Sequence, residues 1–246
     1  MPDVAIDAQT GDERSSSAEN MRWLRSDNMR PPFALEEAVG GDLSADLRRA
    51  IAGEAARFPN PPFYVRNPDG TRGILNRSCT RDYKIRPVQR KCRDLLGIDR
   101  RARIPKHPIV ELWIGITIDE AHRMAPAREP WIYHRHPLCE IGWTRWECET
   151  WLFEEYGIRF GHSGCISCPF RSNVEWLHMQ RDHPDDFARA VEVDKLIRRG
   201  LRNVRGEAFL HDSLRPLGEI DFDEEIAARQ GQLLGWAGAC GGMCGV

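Results

Sequence analysis

Ile109-Val110-Glu111-Leu112-Trp113-Ile114-Gly115-Ile116 is dense in β-branched and aromatic residues and carries a single charge. Such a run reads as a strand buried on both faces, the habit of parallel sheets covered by helices. Behind it comes Thr117-Ile118-Asp119-Glu120-Ala121-His122-Arg123. Open α/β sheets hold ligands beyond the carboxyl ends of their strands. Asp119, Glu120 and Arg123 are therefore candidate substrate-binding residues, and Arg123 has the planar fork that grips phosphate or sulfate in pairs of bonds. The competing reading is a solvated turn with a surface ion pair.

Upstream of this strand, Pro87 suits the first turn of a helix, and Val88, Cys92, Leu95 and Leu96 share one apolar face before Gly97 stops it. Asn67-Pro68-Asp69-Gly70 is strong turn chemistry between possible strands at 63–65 and 73–75, so a hairpin is expected. Residues 42–57 read as a helix, with Leu43, Leu47, Ala50 and Ile51 at helical spacing. Downstream, Thr144 and Glu147 form a capping-box pattern opening a helix whose inward face would be Cys148, Trp151 and Leu152. Further helices are expected near 174–181 and from Pro184, with Asp185 and Asp186 in the first turn of the latter. Strands alternating with helices make the fold class α/β.

The chain has 246 residues, of which 41% are hydrophobic, and a formal net charge of −2. That composition argues against global disorder and against a chain that is basic overall, as nucleic-acid binders often are. A dense local run of Lys and Arg over 86–103 leaves a nucleic-acid partner open. Residues 1–30 are expected to be a disordered leader, 31–230 the folded domain and 231–246 a flexible Gly- and Cys-containing tail. No apolar run approaches the ~20 residues of a membrane span, and no signal-peptide core is present. A cytoplasmic location is expected, where closely spaced cysteines read as ligands or catalysts before they read as disulfides.

There are eight cysteines. In Gly164-Cys165-Ile166-Ser167-Cys168-Pro169, two thiolates three residues apart can reach one metal ion or cluster from a single turn. One such pair is half a site. Cys79, in Ser78-Cys79-Thr80-Arg81-Asp82-Tyr83-Lys84, is the best third candidate. Lys84 could hold an anion or simply be exposed. Cys92 and Cys148 lie on apolar helix faces and read first as small buried hydrophobes. His134 and His136 have no partnering acid and read as surface residues. Cys240 and Cys244 fall in the tail. Trp143 and Trp176 are candidates to shield the metal site from water.

Three stretches together resemble the phosphoadenosine phosphosulfate reductase-like branch of the adenine-nucleotide α-hydrolase (PP-loop) superfamily. They are Cys79-Thr80-Arg81-Asp82-Tyr83-Lys84-Ile85-Arg86-Pro87, the 113–123 strand and turn ending in Arg123, and the series Pro137-Leu138, Trp143-Thr144 and Gly164-Cys165-Ile166-Ser167-Cys168. The resemblance spans roughly 42–200. It implies a partial Rossmann-like parallel sheet with flanking helices and a helical C-terminal region. It also implies a 4Fe-4S cluster on Cys79, Cys165 and Cys168, with zinc as the alternative metal. Cys244 would be either a fourth ligand or the nucleophile carried on a closing tail.

The chain departs from the family in three ways. Ser78 stands where the family's tandem pair has its other cysteine. The proline and lysine after Cys79 are displaced by one residue. No Ser-Gly-Gly-x-Asp-Ser phosphate loop is found. Val39-Gly40-Gly41-Asp42-Leu43-Ser44 echoes one, but no strand is expected before it. The activity implied is sulfur transfer or reduction on an adenylylated or nucleotide-linked substrate, with an adenine nucleotide as possible ligand. Two other readings stay open. One is a non-catalytic, metal-stapled interaction module, forming a homo-oligomer or joining a partner that supplies the phosphate loop. The other is a component of tRNA or DNA thiolation.

Overall fold

A computed structural model describes residues 1–26, 31–54, 58–161, 163–201 and 204–229. The order is β1 Val4–Gln9, α1 Ser15–Leu24, β2 Ala34–Val39, α2 Leu43–Ala52, β3 Tyr64–Arg66, β4 Arg72–Ile74, α3 Arg86–Leu95, β5 Val110–Trp113, β6 Ile132–Arg135, α4 Pro137–Glu140, α5 Arg145–Tyr156, α6 Asn173–Asp182, α7 Pro184–Gly200, β7 Glu207–Phe209 and α8 Phe222–Arg229. The fold is mixed α/β. Its parallel pairing comes in two short pieces, β1 with β2 and β5 with β6, and the third sheet, β4-β3-β7, is antiparallel.

The expected disordered leader is the first correction. Residues 4–9 form β1 and 15–24 form α1, and β1 pairs in parallel with β2 from Val4↔Ala34 to Gln9↔Val39. The physical reason is period-two alternation: Val4, Ile6 and Ala8 share one face of a half-buried strand. The start of α1 is also tied down, because Asp186 of α7 accepts from the Ser15 backbone N–H at 2.8 Å and from its hydroxyl at 2.9 Å.

The second correction concerns Val39-Gly40-Gly41. A strand, β2, does precede it, and Asp42 caps α2 by accepting from the Ala45 N–H at 2.8 Å. Gly40 nevertheless serves packing. A Cβ at Gly40 would lie 2.6 Å from the Tyr83 carbonyl oxygen, so only glycine admits this close backbone approach.

The hairpin forms as expected, with Gly70 N–H donating to Asn67 O at 2.9 Å across the turn, and β7 adds a strand to it. Gly53, in the left-handed conformation, ends α2 earlier than the pattern suggests. The strand expected over 109–116 pairs only over Val110–Trp113. Both halves of the capping box at Thr144 and Glu147 form, but α5 buries none of its residues, and Trp151 is 41% exposed instead of facing the core.

The main core gathers Phe63, Ile166, Trp176, Met179, Ile197, Leu210, Leu217 and Phe222. Ile166, fully buried between the two cysteines, roots their loop in that core. Burial of such a side chain stabilises by roughly 1.5–3 kcal/mol. A smaller cluster of Cys92, Trp131 and Ile132 packs α3 against β5 and β6. Among the described residues no helix is long and apolar enough to cross a membrane.

Candidate functional site

The β1–α1 turn and the cysteine loop are stitched together. Glu13 and Cys165 form an isolated antiparallel bridge, Arg14 N–H donates to Gly164 O at 3.2 Å, and Ile166 N–H donates to Asp12 O at 2.7 Å. The Asp12 carboxylate accepts from the Ser167 N–H at 2.9 Å and from its hydroxyl. Both residues are 1% exposed, so these are bonds for which water offers no substitute. On the same turn the Thr10 hydroxyl lies 3.4 Å from the Cys165 sulfur. Across the loop, Arg171 donates to the Cys165 carbonyl at 2.7 Å, with its guanidinium 4.8 Å above the Trp176 ring.

Cys79 and Thr80 come from the other side. They lead into a π-helical turn, Arg81–Ile85, that runs straight into α3. Such turns shift side-chain directions by part of a residue and recur at functional sites. Here Tyr83 is buried, its hydroxyl 2.7 Å from Asp46, and Lys84 is brought to the cavity wall.

Together these segments enclose a cavity of about 530 Å3 lined by Cys79, Cys165 and Cys168, and also by Thr10, Lys84 and Arg123. Ile114 and Thr117, just past the end of β5, form its opposite wall. The cavity thus lies beyond the carboxyl ends of β1 and β5, where α/β sheets hold ligands. Burial pushes the Cys165 thiol up to about 12, against the pull of Lys84, and raises the Cys168 and Cys79 thiols too. Cys168 feels the charge of Cys79, and Cys165 that of Cys168, so the three sulfurs share one electrostatic neighbourhood.

Three thiols lining one cavity suit a thiophilic metal in kind, since thiolate ligands select zinc and iron–sulfur clusters. Among the described residues, no three Cys, His, Asp or Glu converge as a ready metal cage. Cys79, Cys165 and Cys168 therefore line one cavity without forming such a group. Cys240 and Cys244 lie outside the described residues.

The other candidates divide. Glu120 and Arg123 line the cavity and pair with each other at 2.7 Å, both nearly buried. Asp119 is not on the wall; it accepts from the Arg145 N–H at 2.7 Å and fastens its turn to the start of α5. Lys84 faces the cavity with no ion pair among the described residues. His134 sits at the surface strand β6, 3.0 Å from Ala125 O.

Sequence reading missed Arg77, Arg171 and Cys148, which also line the cavity. Arg77 has a buried guanidinium nitrogen with no hydrogen-bond partner, and burial lowers its pKa. Arg77 precedes Cys79 by two residues and Arg171 follows Cys168 by three. Cations flanking cysteines favour thiolate, and that was the available signal. Cys148 is half-buried on the wall, not a core residue.

No protein-family model, curated protein or solved structure matches the chain.

Proposed function

We propose that this cavity binds an adenylylated or other nucleotide-linked anion and carries out sulfur transfer or reduction beside a cysteine-ligated metal site. The observation that carries the reading is the coincidence of Cys79, Cys165 and Cys168 with Arg77 and Lys84 around one cavity, where neither cation has a carboxylate partner among the described residues. A half-buried cation without a counter-charge is costlier than one in water, and an anionic ligand would supply that charge. The resemblance to the phosphoadenosine phosphosulfate reductase-like family supports the same substrate class. Cys79, Cys165 and Cys168 would hold the metal, a 4Fe-4S cluster or zinc; bound there, it would supply redox or Lewis-acid character.

The chain's own groups have separable roles. Arg77 and Lys84 would bind the anionic end. Arg123 is already neutralised by Glu120 and would orient the anion more than attract it. Cys244 is the candidate nucleophile: its thiolate would attack the substrate sulfur, the sulfur–oxygen bond would break, and the nucleotide would leave with the electron pair. Arg229, the last described residue, pairs with Asp212 and lies within electrostatic reach of Tyr64, which in turn feels Cys168. Cys244 lies fifteen positions after Arg229, and an extended chain covers ~3.3 Å per residue, so the tail is long enough to span to the cavity.

A second reading is a metal-stapled module that leaves the nucleotide phosphates to a partner or a second copy. The filled Gly40 approach favours it, because that turn offers no open cradle. Calorimetry with adenylyl sulfate, adenosine monophosphate and sulfate separates the two. Adenylyl sulfate should bind, and Arg77→Ala and Lys84→Ala should each weaken it about 10- to 100-fold, the worth of a charge-assisted hydrogen bond. Metal-loaded protein that binds none of the three would leave only the module.

A further inference from the structure

Residues 86–106 hold eight Lys or Arg against two Asp, in a chain whose net charge is −2. The structure gathers four of these cations around one cleft. Arg86, Arg90 and Arg93 of α3, with Arg49 and Arg100, line an open cleft of about 820 Å3 on the far side of the Arg81–Ile85 turn from the thiol cavity. Tyr83 lines both spaces.

Some of this charge is already answered. Arg86 holds Asp82 at 3.0 Å, Arg49 holds Asp46 at 3.7 Å, and Lys91 holds Glu36 at 2.7 Å. Glu54 and Glu129 also line the cleft and offset part of the rest. Arg93 bonds only backbone carbonyls, those of Asp99 and Ala102, and its Nε is buried without a partner. Arg90, Arg100, Arg101, Arg103 and Lys106 are exposed and have no carboxylate within ion-pair distance among the described residues.

We propose that this face binds the phosphodiester backbone of a nucleic-acid duplex. Arg86, Arg90 and Arg93 follow one another at i, i+4 and i+7, a row of roughly 10 Å along the helix, and Arg100 adds a fourth charge to the cleft, more than one phosphate can use. Single-strand binders rely on exposed aromatic platforms for the bases. The cleft's aromatic residues, Tyr83 and Trp131, are both buried. What remains is backbone electrostatics, which positions a duplex without reading its sequence. The proposal goes beyond the sulfur chemistry and stands without it. If both hold, Tyr83 would stand between the bound nucleic acid and the thiol cavity.

The test is fluorescence anisotropy of full-length protein with a short labelled DNA duplex, the matching RNA duplex and anionic phospholipid vesicles, over a salt series. For the duplexes, log Kd should rise linearly with log salt. In the double variant Arg90→Glu/Arg100→Glu, the slope should lose about 2, near one per phosphate contact removed. Both residues are exposed and make no side-chain bonds among the described residues, so the variant should fold. Arg48→Glu, which breaks a surface pair with Glu192 on another face, should leave the slope unchanged. Preference for one duplex identifies which nucleic acid is bound. No duplex binding at low salt, an unchanged slope in the double variant, or binding confined to vesicles overturns the proposal.

Discussion

Asp12→Ala is expected to lower the stability of the protein by about 3 kcal/mol, from two buried groups at ~1–3 kcal/mol each. Those groups are the Ser167 N–H and hydroxyl, which bond the Asp12 carboxylate in a region closed to water. The same bonds hold Cys165 and Cys168 in register with the β1–α1 turn, so loss of stability should come with faster reaction of Cys165 with thiol reagents. Asp12→Asn keeps an acceptor oxygen and should recover most of both effects. Burial raises the Asp12 carboxyl above its ordinary value. The folded state therefore binds its proton more tightly than the unfolded chain, and stability from this group falls as pH climbs from the ordinary value through the raised one. Asp12→Asn cannot ionise and should flatten that part of the pH profile. Urea titration across pH checks both claims, and an Asp12→Ala variant as stable as the parent would sink them.

Trp176→Ala should cost about 3–5 kcal/mol, the range for removing a large aromatic from a packed core. Its side chain is fully buried, stacks on Phe222 with ring centroids 6.5 Å apart, and supports the Arg171 guanidinium from below. Losing the ring removes core volume and also the surface that holds Arg171 against the Cys165 carbonyl. Trp176→Phe keeps an aromatic face and should cost less than half as much. Denaturant midpoints of the two variants check the ratio. Equal losses would mean that the ring volume, and not its contact with Arg171 and Phe222, matters little.

Local chemistry made parts of this fold legible. Asn67-Pro68-Asp69-Gly70 and the Thr144 and Glu147 box are self-contained signals, each satisfied within four residues. β2 was hidden because Ala34-Leu35-Glu36-Glu37-Ala38-Val39 favours helix by propensity and becomes a strand only by pairing with β1. β1 was hard to see because its alternation rests on only three apolar positions, Val4, Ile6 and Ala8, and becomes a strand by pairing with β2. The site shows the same division. Cys165 and Cys168 announce themselves by spacing. Asp12 does not, because its partner Ser167 lies 155 residues away and nothing local marks a buried carboxylate. Asp119 looked like a ligand-facing acid and instead bonds the Arg145 backbone, a contact 26 residues away.

The central claim is that Cys79, Cys165 and Cys168 bind one metal centre. The most direct test is anaerobic purification of the full chain, followed by quantification of iron, acid-labile sulfide and zinc in the parent and in Cys79→Ala, Cys165→Ala, Cys168→Ala and Cys244→Ala. The account predicts iron and sulfide near cluster stoichiometry in the parent, lost together in the first three variants and reduced in the fourth if Cys244 is a ligand. A parent protein with neither iron, sulfide nor zinc, or one whose metal survives all three of the cavity substitutions, would contradict it.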